Sequence, residues 1–230
     1  MSMLQVSERI IRSEYKKIDE VVGKTITSNE SEIFIHDKYA YKILKPIYRF
    51  NRLKNMYLIE DENFPHSNNI INTLYQGDKF IGVCTEFLEK FKTLGEQLKD
   101  LNLYETKIIF EYIIDFMKCV HEKNLNYWDI HLENMGTSNN SFFITDIDSM
   151  EIIKSQKDIQ YCYHNLLTLF YELAFNYRIR KNNPWIYREK IYMITGNEDY
   201  MNFTLNMESL KDTIKNTTQD FIDEKRYILK

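Results

Sequence analysis

Residues 121–149, HEKNLNYWDIHLENMGTSNNSFFITDIDS, decide the fold. Asp129 and Asn134 lie in a loop after a long amphipathic segment, and Asp146 ends a short apolar strand after a turn rich in Asn and Ser. A hairpin-like return of this kind is expected to bring the two carboxylates and the carboxamide together. Such oxygen donors are the ligands that Mg²⁺ prefers, generally shared with substrate phosphates. The stretch therefore predicts a site for a hard cation and a phosphate-bearing ligand.

The rest of the chain has the composition of an ordinary folded protein. It contains 230 residues, of which 43% are apolar and 28% charged, and its net charge is −4. That length suffices for one large domain or two small lobes, and without a basic excess no nucleic-acid partner is expected. Three cysteines, odd in number and far apart, exclude a disulfide framework and a thiolate zinc site. We find neither a signal-peptide pattern nor an apolar run of membrane length, so the sequence predicts a cytoplasmic protein without a membrane span.

The pattern of apolar residues changes near Leu88. Before it, alternation around short turns predicts two hairpins, 32–36 with 39–44 and 69–75 with 80–87, and a helical stripe covers 49–60. After it, helical patterns cover 94–101, 103–122 and 161–175, with further helices past Pro184. The sequence thus predicts an α+β protein with a strand-rich lobe over residues 1–88, containing one helix, and a mainly helical lobe over residues 89–230.

The deciding stretch resembles the catalytic loop and metal motif of the protein-kinase-like superfamily. Tyr127-Trp128-Asp129 stands where that family has H-R-D, and Asn134 follows at the family's spacing. Asp146-Ile147-Asp148 stands where the family has D-F-G, with an acidic residue in place of the glycine. The resemblance covers roughly residues 25–175 and implies a two-lobed kinase fold with a small antiparallel sheet and one helix in the first lobe.

Upstream motifs resemble the same family in the same order. Ala40-Tyr41-Lys42 is similar to the V-A-I-K strand, which implies that Lys42 holds the α- and β-phosphates and that Ala40 lines the nucleotide site. Glu60 is then implied as the helix glutamate that pairs with Lys42. The end of the last strand resembles a hinge, with the Glu86 carbonyl and the Leu88 amide as adenine partners.

The phosphate-covering loop departs from the family. The family's G-x-G-x-x-G pattern would lie over residues 23–32, where only Gly23 is present. Without further glycines the backbone cannot close as tightly on phosphates. Ser28 and Asn29 are therefore expected to bind the nucleotide through hydrogen bonds instead.

Two further differences from the family concern the molecule that would accept the phosphoryl group. Few residues separate Asp148 from the next predicted helix and no A-P-E sequence occurs, so a usual activation loop and peptide platform are not expected. His131, two residues after Asp129, resembles the aminoglycoside, choline and lipopolysaccharide-core sugar kinases. Aminoglycoside and choline kinases, however, usually carry extra helices between the hinge and the catalytic loop, and this sequence is too short there to contain them.

The resemblance implies an ATP- and Mg²⁺-dependent phosphotransferase that moves the γ-phosphoryl group to a hydroxyl. Asp129 would orient the hydroxyl and accept its proton, while Asn134, Asp146 and Asp148 would hold Mg²⁺. An atypical bacterial or viral Ser/Thr protein kinase is the first expectation. A sugar or other small-molecule kinase, and a pseudokinase that serves as a binding module, remain open alternatives, and the sequence leaves the oligomeric state open.

Overall fold

The computed structural model describes residues 3–23, 28–97, 100–101 and 103–159, together with positions 162, 165, 166 and 169. The described residues form two compact units. The first contains the residues up to Lys92 and residues 136–152, and the second contains residues 93–135 and the described residues after Ile152. Most of the predicted helix 161–175, and the helices expected past Pro184, lie outside the described residues.

The described elements mix strands and helices, as an α+β protein requires. In chain order they are β1 Met3–Gln5, α1 Glu8–Glu14, β2 Lys16–Lys17, α2 Ile18–Val22, β3 Ser31–His36, β4 Tyr39–Leu44, α3 Pro46–Met56, β5 Ile70–Gln76, β6 Lys79–Glu86, β7 Lys92–Thr93, α4 Leu94–Gln97, α5 Leu103–Glu122, β8 Leu125–Asn126, β9 Met135–Ser138, β10 Ser141–Ile144 and β11 Glu151–Ile152. Two 3₁₀ turns, Leu132–Asn134 and Ile147–Ser149, carry the residues of the candidate site.

Within the described residues, one six-stranded sheet has the order β1-β5-β6-β4-β3-β2. Strands β3 and β4 pair antiparallel around Asp37, and β5 and β6 pair antiparallel around Gly77, so both predicted hairpins are confirmed. Both turn residues have positive φ, 52° for Asp37 and 60° for Gly77, a conformation that Asp and Gly tolerate. Strand β1, parallel to β5, was not predicted, since three residues are too few to show alternation.

Helix α1 covers one face of this sheet through Ile11, which is 1% exposed. The buried residues that cluster with it come from four strands: Phe34, Tyr41, Ile43, Leu74, Ile81 and Cys84. The N-terminal segment is therefore part of the core that supports β4, the strand carrying Lys42.

Helix α3 ends earlier than its apolar stripe predicts. It begins at Pro46 and ends at Met56. Proline is well suited to the first position of a helix, because the backbone N–H that it lacks would form no hydrogen bond within the helix there. The Glu60 N–H bonds to the Met56 carbonyl at 2.9 Å as part of the turn that follows the helix. Glu60 therefore lies beyond α3, although the stripe included it.

In the second unit, α5 leads into the candidate catalytic loop. The ring of Phe116 on α5 packs edge-on against that of buried Tyr127, with ring centroids 5.5 Å apart, and so anchors the start of the loop. Within the described part of the chain, no helix combines the length and the apolar character needed to cross a bilayer.

Candidate active site

Lys42 lies in the middle of β4, between Ile33 on β3 and Val83 on β6. The residue is 8% exposed, and its Nζ lies 2.8 Å from Asp146 Oδ1 and 2.9 Å from Asp148 Oδ1. Burial by itself lowers the pKa of Lys42, but the charges of Asp148 and Asp146 outweigh that effect and raise it. The ammonium is therefore held charged in a buried site by two carboxylates.

The end of β10 positions these two carboxylates. The N–H of Ile144 donates to the His66 carbonyl at 2.7 Å, and its carbonyl accepts from the N–H of Asn68 at 2.8 Å. Asp146 then adopts a left-handed conformation, with φ 59° and ψ 29°, and its carbonyl accepts a hydrogen bond from the Ser149 N–H at 3.0 Å at the start of the 3₁₀ turn that contains Asp148. Asp tolerates this conformation better than most residues, and such backbone states concentrate at functional sites.

The expected ion pair between Glu60 and Lys42 is not formed in the part of the chain that the structure describes. Glu60 is buried, and its Oε2 accepts a hydrogen bond from Thr73 Oγ1 at 2.9 Å. The physical reason is the early end of α3, which leaves Glu60 in the following turn. Asp148 instead holds the Lys42 ammonium in the way that the resemblance implied for Glu60.

Helix α3 contributes Arg52 and Asn55 to this region. Three residues apart, they share one helix face. Asn55 Nδ2 donates to the Met150 carbonyl at 3.2 Å, and Arg52 Nη2 forms an ion pair with Glu30. Burial lowers the pKa of Arg52, but the charge of Asp148 and the contact with Glu30 raise it overall. Arg52 was not among the predicted site residues; the feature of the sequence that points to it is the charge of α3, which contains basic but no acidic residues.

Asp148 retains one carboxylate oxygen that fits a cation. Its Oδ2 is buried and, among the described residues, has no hydrogen-bond partner; the same holds for Ser149 Oγ. A buried, unpaired carboxylate oxygen is costly unless a cation or donor approaches it. With Asp146 beside it, this donor set fits Mg²⁺, which binds through one or two carboxylates plus phosphate and water. The described residues contain no cluster of three or more His, Cys, Asp or Glu side chains suited to a metal.

In the second unit, the Asp129 carboxylate is held at both oxygens. Asn134 Nδ2 donates to Oδ2 at 2.8 Å, and His131 Nε2 lies 3.1 Å from Oδ1. His131 Nδ1 accepts a hydrogen bond from the Glu133 N–H at 3.2 Å, so the neutral imidazole carries its proton on Nε2 and donates it to Asp129. His131 was a candidate from the sequence, but its contact with Asp129 was not predicted. The predicted metal site that joins Asn134 to Asp146 draws on both units and stays a prediction.

The loop before β3 is closed by its own hydrogen bonds. Ser28 Oγ accepts from the N–H groups of Glu30 and Ser31 at 3.2 and 3.1 Å. Lys45 Nζ donates to the Asn29 carbonyl at 2.8 Å. Residues 24–27 of the predicted phosphate loop lie outside the described residues, and nucleotide binding by Ser28 and Asn29 stays a prediction.

The predicted hinge lies at the end of β6. The Glu86 carbonyl accepts a hydrogen bond from Asn68 Nδ2 at 3.1 Å, and Ala40 on β4 pairs with Thr85 on β6. Leu88 follows the end of the strand. The adenine contacts assigned to Ala40, Glu86 and Leu88 stay predictions.

Comparison with known proteins supports the fold. No protein-family model and no curated protein matches the sequence. The structure is similar to the kinase domain of Mycobacterium tuberculosis PknI, with 12% identity and a TM-score of 0.59 over 89% of this chain and 96% of that domain. A double mutant of the same kinase domain gives 11% identity and a TM-score of 0.61 with the same coverage. The chain has a protein-kinase-like fold.

Proposed function

We propose that this protein is an ATP- and Mg²⁺-dependent phosphotransferase acting on a hydroxyl, with a Ser or Thr side chain of a protein as the first choice of acceptor. The observation that carries the proposal is the contact of the Lys42 ammonium with Asp146 and Asp148, at 2.8 and 2.9 Å, in a kinase-like fold. A charged lysine beside paired acidic oxygens is the arrangement that binds phosphates together with a divalent cation.

The first unit would bind the nucleotide phosphates. Positioning and charge neutralisation dominate phosphoryl transfer, because the protein has little covalent chemistry to perform. Lys42 would bind the α- and β-phosphates, and Asp146 and Asp148 would hold Mg²⁺ with Asn134. When bound, Mg²⁺ neutralises the negative charge of the phosphate oxygens. Ala40, Glu86 and Leu88 would contact the adenine, and Ser28 and Asn29 would donate to the phosphates.

The second unit would handle the acceptor. Asp129 would orient the hydroxyl and accept its proton, a contribution that is typically worth two to four orders of magnitude in rate. The hydrogen bonds from His131 and Asn134 fix the orientation of this carboxylate, which remains 44% exposed and accessible to an acceptor.

Transfer of radiolabel from γ-labelled ATP tests the proposal. We compare the wild-type protein with Asp129→Asn and Asp146→Ala, and Asp37→Asn serves as a matched control because Asp37 is an exposed turn residue. Labelled protein is expected from the wild type and from Asp37→Asn. A loss of roughly 10²-fold or more is expected for Asp129→Asn.

The other outcomes separate the alternatives. ATP consumption only after addition of a metabolite extract would assign a small-molecule acceptor, an alternative favoured by His131, whose place two residues after Asp129 resembles small-molecule kinases. If there were no transfer and ATP with Mg²⁺ did not raise the melting temperature, the enzymatic proposal would be wrong. The kinase-like fold would then serve as a binding module, since a ligand that binds the folded state must stabilise it.

A further inference from the structure

Two basic residues, Lys42 and Arg52, lie in the region of Asp146 and Asp148. Lys42 contacts both directly. Arg52 approaches from α3, which packs against the 3₁₀ turn that carries Asp148. Its side chain is 17% exposed, and the nearby charges of Asp148 and Asp146 contribute to raising its pKa. A guanidinium this far from bulk water is a strong local source of positive potential.

Arg52 has hydrogen-bond donors that the protein does not use. A guanidinium presents five N–H groups in a rigid planar fork. Its Nη2 donates to Glu30, whereas Nε and Nη1 form no hydrogen bond with any residue that the structure describes. The group can therefore bind an anion without first breaking its contact with Glu30.

Helix α3 was predicted to contribute a negative charge near Lys42, but it contributes a positive one. The resemblance implied a glutamate, Glu60, whereas the helix contributes Arg52. Asp148, which replaces the glycine of the family motif, holds Lys42 instead. The additional carboxylate at position 148 and the additional guanidinium at position 52 thus offset each other electrostatically.

We propose that Arg52 is a second phosphate-binding residue, which contacts the terminal phosphates of a nucleoside triphosphate beside Lys42. The inference rests on the proposed binding of ATP. Arg is suited to this task because its planar fork donates two charge-assisted hydrogen bonds to one phosphate. The ion pair with Glu30 holds the guanidinium in place.

Calorimetric titration with ATP, ADP and AMP in the presence of Mg²⁺ tests this role. We compare the wild type with Arg52→Gln and Arg52→Lys, and Lys54→Gln is the matched control because Lys54 is an exposed cation on the same helix. Arg52→Gln is expected to weaken ATP binding at least about tenfold, the effect of losing a charge-assisted hydrogen bond. AMP binding should not change, Arg52→Lys should lie between the two, and Lys54→Gln should behave as the wild type.

A second variant, Glu30→Gln, is expected to change the affinity for ATP in the opposite direction to Arg52→Gln. Because it removes a negative charge beside the guanidinium that would bind the anion, Glu30→Gln is expected to tighten ATP binding, whereas a merely structural ion pair would give no gain. Equal weakening of ATP and AMP by Arg52→Gln, or no gain in Glu30→Gln, would overturn the role of Arg52 while leaving ATP binding intact. If the wild type bound none of the three nucleotides, the proposed function and this inference would both be wrong.

Discussion

Lys42 is held by its backbone as well as by its charge. Strand β6 passes so close to β4 at this point that only glycine fits opposite: a Cβ on Gly82 would lie 2.0 Å from the Lys42 carbonyl oxygen. Backbone atoms cannot yield in the way that the end of a flexible side chain can. The position of the Lys42 ammonium therefore depends on a glycine of the neighbouring strand.

We expect Gly82→Ala to destabilise the protein by roughly 3 kcal/mol, the upper range for overpacking of a core. Gly77→Ala is the matched control, since a Cβ there has no neighbour within 4 Å and the cost is that of a positive φ alone, about 1 kcal/mol. Urea unfolding of the two variants measures the difference. Equal losses would show that β4 and β6 are not in such close contact.

Asp148 shows what a motif can and cannot reveal. The sequence identified its acidic side chain at a glycine position and predicted a cation ligand. The structure adds that one oxygen holds Lys42 while the other is buried without a partner among the described residues. The spacing of a motif predicts that two side chains are close together, but it does not predict which oxygen of a carboxylate forms the contact.

At the scale of elements, the sequence predicted what short-range patterns determine. Alternating apolar residues and the Asp37 and Gly77 turns located both hairpins. The predicted end of α3 at residue 60 was wrong: the spacing of the stripe is that of a helix, but the helix ends at Met56 and Glu60 lies in the following turn. Leu53 and Tyr57 in this stripe are exposed, so the i, i+3, i+4, i+7 spacing predicted neither the end of the helix nor its buried face. Arg52 was missed because the family resemblance implied a carboxylate, rather than a guanidinium, from this part of the chain.

Helix α1 offers a test of how the N-terminal segment supports the sheet. Ile10 and Ile11 are adjacent, but Ile10 is 47% exposed and Ile11 is 1% exposed. Ile11→Ala is expected to cost about 2–5 kcal/mol, because the cavity opens within the cluster behind β4. Ile10→Ala, with the same change in helix propensity, should remain within about 0.5 kcal/mol of the wild type in urea unfolding. If both variants lost the same stability, α1 would not be packed on the sheet.

At the scale of the whole molecule, acid is expected to reduce stability in two steps. Burial raises the pKa of Glu8, but hydrogen bonds from Arg12 and Arg49 lower it overall. Hydrogen bonds from Lys17 and Arg12 likewise lower the pKa of Glu32. A carboxylate with a lowered pKa stabilises the folded state above its ordinary value of 4.5, and this stability is lost as the pH falls through the lowered pKa. This step therefore begins below pH 4.5.

The other loss of stability, which occurs at higher pH, is expected from His121, near the end of α5. Burial lowers its pKa below 6.5, although the hydrogen bond with Asn126, at 3.4 Å, acts in the opposite direction. The unfolded chain binds the proton first, so stability falls as the pH drops from 6.5 towards the lowered pKa and then levels off. His121→Gln should remove this step, because Gln does not titrate and its amide N–H can still donate to Asn126. Urea unfolding at about pH 7.5 and about pH 5.5 measures the loss, with the exposed His36→Gln as the control that keeps it. Were the loss unchanged in His121→Gln, the step would have to come from another group.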